Sequence, residues 1–168
     1  YGVDSSAEML RLARKYARKF KFTVNLSLSD VAHLPYGDAT FDWTISMATY
    51  HHIRYPEERL RAFYELWRVL KPGGEAFITV WHRWQPRFWT KGKEITVPWR
   101  MKDRTLYRYY HLFSYPELES LARRTGFTVL ESSPEHSYHF PVKFFSRNIC
   151  LLVRKVVEER PDVYRGSV

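Results

Sequence analysis

Two carboxylates, Asp4 and Asp30, stand where strand-like runs give way to polar turns. A carboxylate at such a place can accept two hydrogen bonds from a vicinal diol, and in nucleotide-binding sheets an acid ending the second strand does this for ribose hydroxyls. Asp30 could accept the exocyclic amine of an adenine while the Val31 amide meets a ring nitrogen. Each acid also has a plainer reading, Asp4 as a helix cap and Asp30 as a turn residue. Further along, His51 and His52 close the strand-like run Trp43–Ala48, and Arg108-Tyr109-Tyr110-His111 sets a bidentate cation beside three single hydrogen-bond donors. Such groups suit the orientation of an anion. They do not suit a metal, because adjacent histidines diverge on a strand or a helix and no Cys, Asp or Glu cluster completes a shell. One of the two histidines is expected to pack beneath the site as a structural residue. Core packing is the competing reading for Tyr109 and Tyr110, and Trp99 reads as a core or loop anchor.

These residues need an α/β scaffold to bring them together. Phe41 to Trp81 reads as strand, helix, strand: Trp43–Ala48, then Glu57–Leu70 with Leu60, Phe63, Leu66 and Trp67 on one face, then Lys71-Pro72-Gly73-Gly74 leading into Ala76–Trp81. Pro56 suits a helix start and Gly73 the left-handed residue that ends one. In parallel sheets the carboxyl ends of strands hold ligands, and the histidine pair lies at such an end. Upstream, Tyr1–Asp4 reads as the close of a strand, Ser5 or Ser6 as a helix cap, Met9–Phe20 as an amphipathic helix and Phe22–Leu28 as a strand. Downstream, residues 83–107 lose all period and read as a long functional loop or insertion. Ser114–Gly126 is expected as a helix, Phe127–Ser132 and Asn148–Lys155 as strands forming an antiparallel edge, and 134–145 as a loop. The expected domain is 1–155, followed by a tail, 156–168.

The 168 residues suffice for one domain with a real core, and 45% hydrophobic content with 17% aromatics excludes a disordered chain. No apolar run has the length of a membrane span. A single Cys150 argues against a disulfide framework, so a reducing, cytoplasmic setting is expected, with no membrane partner. Lys and Arg total 27 against 18 acids, a net charge of +9. That excess favours a polyanionic partner, nucleic acid first and an anionic membrane second, and the many aromatics, which can stack on unpaired bases, suit RNA contact, although composition alone does not choose RNA over DNA.

GVDSSAEML, SDVAHLPYGDATFD and LKPGGEAFITV resemble successive motifs of the class I S-adenosylmethionine-dependent methyltransferases. The resemblance implies a Rossmann-like sandwich with a mostly parallel central sheet and S-adenosylmethionine as cofactor. It places Asp4, with Ser5 beside it, at the cofactor ribose, Asp30 and Val31 at the adenine, and Met47 beside the methionine part. The family's first strand and glycine-rich loop would stand before Tyr1. Two half-sheets with unpaired edges are therefore expected, in part of a longer protein or in a form that binds cofactor poorly.

The later motifs AxxHH, VPWRMK, YRYYHLFSYPELESLARRTGF and SRNICLLVRK resemble the tRNA wobble-uridine carboxymethyl methyltransferases, including the methyltransferase domain fused to an AlkB-type oxygenase. That resemblance implies esterification of 5-carboxymethyluridine in a tRNA anticodon loop, and a small zinc-binding activator protein as heterodimer partner. A carboxylate acceptor needs no general base, because it is already ionised at neutral pH. Arg108, His52, Tyr109 and His111 then orient the acceptor, while Trp81, Tyr110 and His51 hold the substrate, Trp81 by stacking on a flipped uracil. Two other readings stay open: a small-molecule O- or C-methyltransferase of the same fold, and a noncatalytic RNA-binding subunit.

Overall fold

Local signals start the chain as the sequence suggests. β1 (Gly2–Asp4) ends at an Asp4 carboxylate that accepts the Ser6 amide at 2.7 Å, and the Ser6 hydroxyl accepts the Met9 amide at the start of α1 (Ala7–Lys19). The expected strand from Phe22 shrinks to β2 (Leu26–Leu28), which pairs with β1 in parallel. β3 (Phe41–Met47) leads through a 3-10 turn at Tyr50–His52 into α2 (Pro56–Val69), with the proline in the first turn, where its missing amide costs nothing. The computed structural model describes residues 1–100, 105–135 and 146–156. Most of the loop expected at 134–145 and nearly all of the expected tail lie outside them.

From Val69 the chain passes straight into an extended Leu70, so β4 (Leu70–Trp81) begins earlier than expected and Gly73 lies inside it. Gly73 adopts the left-handed φ of 79°, open to glycine at little cost. Gly74 is there for a different reason: a Cβ would come within 2.9 Å of the Lys71 carbonyl oxygen and 3.1 Å of the Asp42 carbonyl oxygen. The two glycines let β4 close onto β3 in parallel register, pairing Met47 with Thr79.

The stretch expected as a loop at 83–107 instead holds β5 (Glu94–Arg100) and the start of β6 (Thr105–His111), an antiparallel pair separate from the main sheet. Ile95, Val97 and Trp99 do alternate with Glu94, Thr96 and Pro98, but the proline obscures the pattern; an edge strand tolerates it. α3 (Tyr115–Arg124), β7 (Phe127–Pro134) and β8 (Asn148–Lys155) follow.

The main sheet stands in two pieces. β1–β2 form one, and β3–β4–β8–β7 the other, with β8 antiparallel to both of its neighbours. Among the described residues β1 pairs only with β2 and β3 only with β4, so each keeps an unpaired edge. Aromatic rings link the pieces: Tyr1 meets Tyr36 and Phe41 edge-on at 5.9 and 5.6 Å. Arg68 on α2 reinforces the link, donating to the carbonyls of Leu34 and Tyr36 while paired with Glu65.

One face of the larger piece carries the core. Ala76, Ile78 and Val80 of β4, with Ile149, Leu151 and Val153 of β8, are buried with Phe63 and Leu66 of α2 and with Leu118 and Ala122 of α3. On β3, Trp43, Ile45 and Met47 remain exposed. The glycine analysis gives an ordered prediction. Gly74→Ala should lower stability by roughly 2 kcal/mol through overpacking against backbone, and Gly73→Ala by roughly 1 kcal/mol through a strained φ. Denaturant midpoints at unchanged slope measure both, and a Gly73 effect larger than the Gly74 effect contradicts this account of the turn.

Candidate functional site

The carboxyl ends of β1 and β2 set Asp4 and Asp30 on adjacent turns. Asp4 Oδ1 holds the Ser6 amide and Asp30 Oδ1 the Ala32 amide, both at 2.7 Å, leaving the second oxygen of each carboxylate to accept from a ligand. Ala32 is buried and Val31 packs against the same core, which fixes the loop beneath Asp30; Ser5 is exposed beside Asp4. The arrangement fits a nucleoside, with one acceptor on each of two neighbouring strand ends. Met47 closes β3 at 61% exposure, its sulfur 3.9 Å from the Thr79 hydroxyl. After it Ala48 takes a left-handed φ of 56°, unusual for a residue with a Cβ, held by its amide donating to both the carbonyl and the hydroxyl oxygen of Thr79. Backbone strain of this kind marks the strand end as a place the surrounding structure over-determines.

The two histidines divide into different roles. His51 is 1% exposed, and its Nδ1 accepts the Trp81 amide at 3.1 Å. An amide can only donate, so the ring carries its proton on Nε2. Burial pulls its pKa down to about 3, with the neighbouring His52 adding to the effect. His51 is therefore the structural histidine, packed on Tyr110 at 5.2 Å, and the expectation that it holds substrate is corrected. His52 is exposed, with Nδ1 3.1 Å from the Tyr109 carbonyl oxygen. A carbonyl only accepts, so Nδ1 bears the proton and Nε2 is left as an acceptor. Though the residue reaches solvent, partial burial of its ring lowers the pKa, against the pull of the Tyr109 carbonyl and with the help of the Arg108 charge. The neutral ring cannot donate to a substrate anion through Nε2, contrary to the role expected for it; it can accept from an N–H or a hydroxyl.

On β6 the alternation of side chains separates the expected cluster. Arg108 and Tyr110 share one face with Ile95, Val97 and Trp99 of β5, and Tyr109 and His111 lie on the other. Tyr110 is 4% exposed and stacks on Trp81 at 4.1 Å, so the packing explanation holds for it. Trp81 is also close to Phe88, at 5.8 Å, and serves as the floor of this cluster rather than as an open platform for a flipped base. The Tyr109 hydroxyl donates to the Arg54 carbonyl. His111 is buried, its Nε2 2.8 Å from Glu117. Burial would raise the Glu117 pKa, yet His111 and Lys93 together hold it at about 2. His111 is thus a buried tie between β6 and α3, not a donor to substrate. Arg108 remains exposed with its guanidinium 4.3 Å from the Trp99 ring centre, and Trp99, expected as a core or loop anchor, is instead a half-exposed strand residue.

Sequence reasoning missed four residues that shape this site: Thr79, Phe88, Glu117 and Arg59. Buried Arg59 donates to the carbonyls of Ile53 and Arg54 and fixes the exit from the histidine turn. Only Glu117 carried a usable signal, an acid in the first turn of α3 six residues from His111. Among the described residues no three His, Cys, Asp or Glu are grouped to hold a metal.

His51 also makes a stability prediction. Its folded pKa lies below the ordinary 6.5, so its contribution is complete above that value and is lost as pH falls toward 3. Between about pH 6.5 and pH 5 the loss should be about 2 kcal/mol. Denaturation across that window should show a steeper decline for the wild type than for His51→Gln. Parallel curves would show that His51 is not held neutral.

A family model described as a methyltransferase domain matches residues 1–78. The chain is 31% identical over 151 residues to the human protein named probable tRNA methyltransferase 9B, an alignment covering 89% of this chain and 30% of that one. It is 32% identical over 129 residues to the tRNA (carboxymethyluridine(34)-5-O)-methyltransferase of Schizosaccharomyces pombe, covering 62% of this chain and 57% of that one. The chain thus spans between about a third and just over half of these relatives' length. Among solved structures, a SAM-dependent methyltransferase of Methanosarcina mazei superposes with a TM-score of 0.72 over 94% of this chain and 82% of that one, at 20% identity, which speaks to the fold alone. No helix among the described residues is long and apolar enough to cross a membrane. The family's cofactor is S-adenosylmethionine, and the strand-end carboxylates suit its nucleoside. The chain is a class I S-adenosylmethionine-dependent methyltransferase domain that resembles the tRNA carboxymethyluridine methyltransferases.

Proposed function

We propose that the protein containing this chain methylates the carboxylate of 5-carboxymethyluridine at the wobble position of a tRNA anticodon loop. The observation that carries the reading is Arg108: an exposed guanidinium whose charge reaches His52, on the strand whose Tyr109 carbonyl accepts from the His52 ring. The tRNA-modifying relatives support the same substrate class.

Asp4, Ser5, Asp30 and Val31 would hold the nucleoside of S-adenosylmethionine, and Met47 its methionine part. When bound, the cofactor supplies an electrophilic methyl group on a sulfonium. The acceptor needs orientation rather than deprotonation, since a carboxylate is ionised at neutral pH. Arg108 offers a fork of parallel N–H donors for it. Nε2 of His52 accepts from the uracil N–H or a ribose hydroxyl, fixing the base without competing for the anion. Stacked Trp81 and Tyr110 give the site a rigid aromatic floor.

Full-length protein with methyl-labelled cofactor and tRNA bearing 5-carboxymethyluridine should yield label that mild alkali releases, as an ester requires. Arg108→Ala should lower kcat/KM roughly 10- to 100-fold, the worth of a charge-assisted hydrogen bond. Label passing only to a small metabolite overturns the tRNA substrate, and an unchanged rate in the variant overturns the Arg108 assignment.

A further inference from the structure

We infer that the β5–β6 hairpin is a docking arm for single-stranded RNA, with the partly exposed face of Trp99 stacking on an unpaired base next to the nucleotide in the site. The inference rests on the tRNA reading and goes beyond it by naming the surface that holds the loop.

The hairpin is rooted in the site. Tyr110, opposite Ile95, packs with Trp81, Phe88 and Leu112, and the same face continues through Val97 and Arg108 to Trp99 and Leu106. Burial falls along this line. Tyr110 is 4% exposed, Leu106 is 39%, Trp99 is 49%, and Tyr107 on the reverse face is 74%. From Ile95 to Trp99 the strand advances about 13 Å. That reach is sufficient to leave the site and meet a neighbouring nucleotide. Folding alone gives no reason to present Trp99, Leu106 and Tyr107 to solvent in a strand pair that belongs to neither half of the main sheet.

Charge selects the occupant. From Arg83 to Lys93 the chain carries Arg83, Arg87, Lys91 and Lys93 and no acid, and the one acid on the described strands of the hairpin, Glu94, lies at its root 4.0 Å from His111. Lys93 is spent on Glu117, whereas Arg83 and Arg87 lie over the rings of Trp84 and Phe88, at 4.8 and 5.3 Å from their centres. Phe88 is in turn beside Trp81, so Arg87 borders the site itself. Arg100 and Arg108 add positive charge to the hairpin. Aromatic faces interleaved with cations bind unpaired nucleotides, the rings taking bases and the cations taking phosphates. An apolar protein surface would satisfy the rings and leave these cations without anions.

The test uses full-length protein and an anticodon stem–loop oligonucleotide, with the same strand paired into a duplex as comparison. Wild-type protein should prefer the stem–loop. Trp99→Ala should raise its Kd roughly 5- to 150-fold, the worth of one stacked base, and Trp99→Phe should restore most of the loss. Binding of S-adenosylmethionine should change less than twofold in either variant, which excludes misfolding as the cause. Replacing Arg83, Arg87 and Lys91 with Gln should reduce the slope of log K against log salt by about 2. If Trp99→Ala binds the stem–loop as wild type does while methylation of tRNA persists, the arm is overturned and the tRNA reading stands. If wild-type protein binds no RNA, and Trp99→Ala instead dissolves a protein complex, both are overturned.

Discussion

The end of β4 is the constraint on which the site depends. Thr79 holds the strained Ala48 through its carbonyl and its hydroxyl, so it fixes where β3 stops and where Met47 is presented. Two residues on, the Trp81 amide fixes the tautomer and position of His51, and the Trp81 carbonyl accepts the Phe113 amide, bringing in the segment that follows β6. The strand can do this only because Gly73 and Gly74 let it close onto β3 in parallel register. A turn composed of glycines for steric reasons thus sets the geometry of groups at the other end of the strand.

Around that hub the electrostatics favour an anion. His51 is held neutral by burial, and His52 is biased the same way by burial and by Arg108, so neither adds a charge that would compete with the guanidinium for an acceptor. Near the hairpin root Glu117 is engaged by His111 and Lys93, and Glu94 lies 4.0 Å from His111. In the proposed reading exposed Arg108 is the cation that a substrate carboxylate meets beside His52, while exposed Arg54 lies over the Tyr109 ring. A positioned cation next to neutral polar groups orients an ionised nucleophile without removing protons from it, and that is the division of labour proposed here.

The helices and the strand-end acids were legible in the sequence because their signals are local. Ser6, Pro56 and the 3.6-residue period of Leu60, Phe63, Leu66 and Trp67 lie within the elements they define. The histidine roles were not legible, because the partner of His51 is 30 residues away and that of His52 is 57 away. The hairpin was hidden by Pro98 and by the aperiodic run before it. Tyr110 and Arg108 share a face by strand parity, but that becomes visible only once β6 is known to be a strand. The same parity separates His111 and Tyr109 from the group they seemed to join.

The account turns on orientation in place of deprotonation, and the pH dependence of single-turnover methyl transfer separates the two. With full-length protein saturated by cofactor and by tRNA bearing 5-carboxymethyluridine, the rate should stay flat from about pH 6 to about pH 8.5, because the acceptor is ionised throughout. A rate that climbs with pH through an ionisation near neutrality, and becomes flat in His52→Gln, would make His52 a general base and contradict the account.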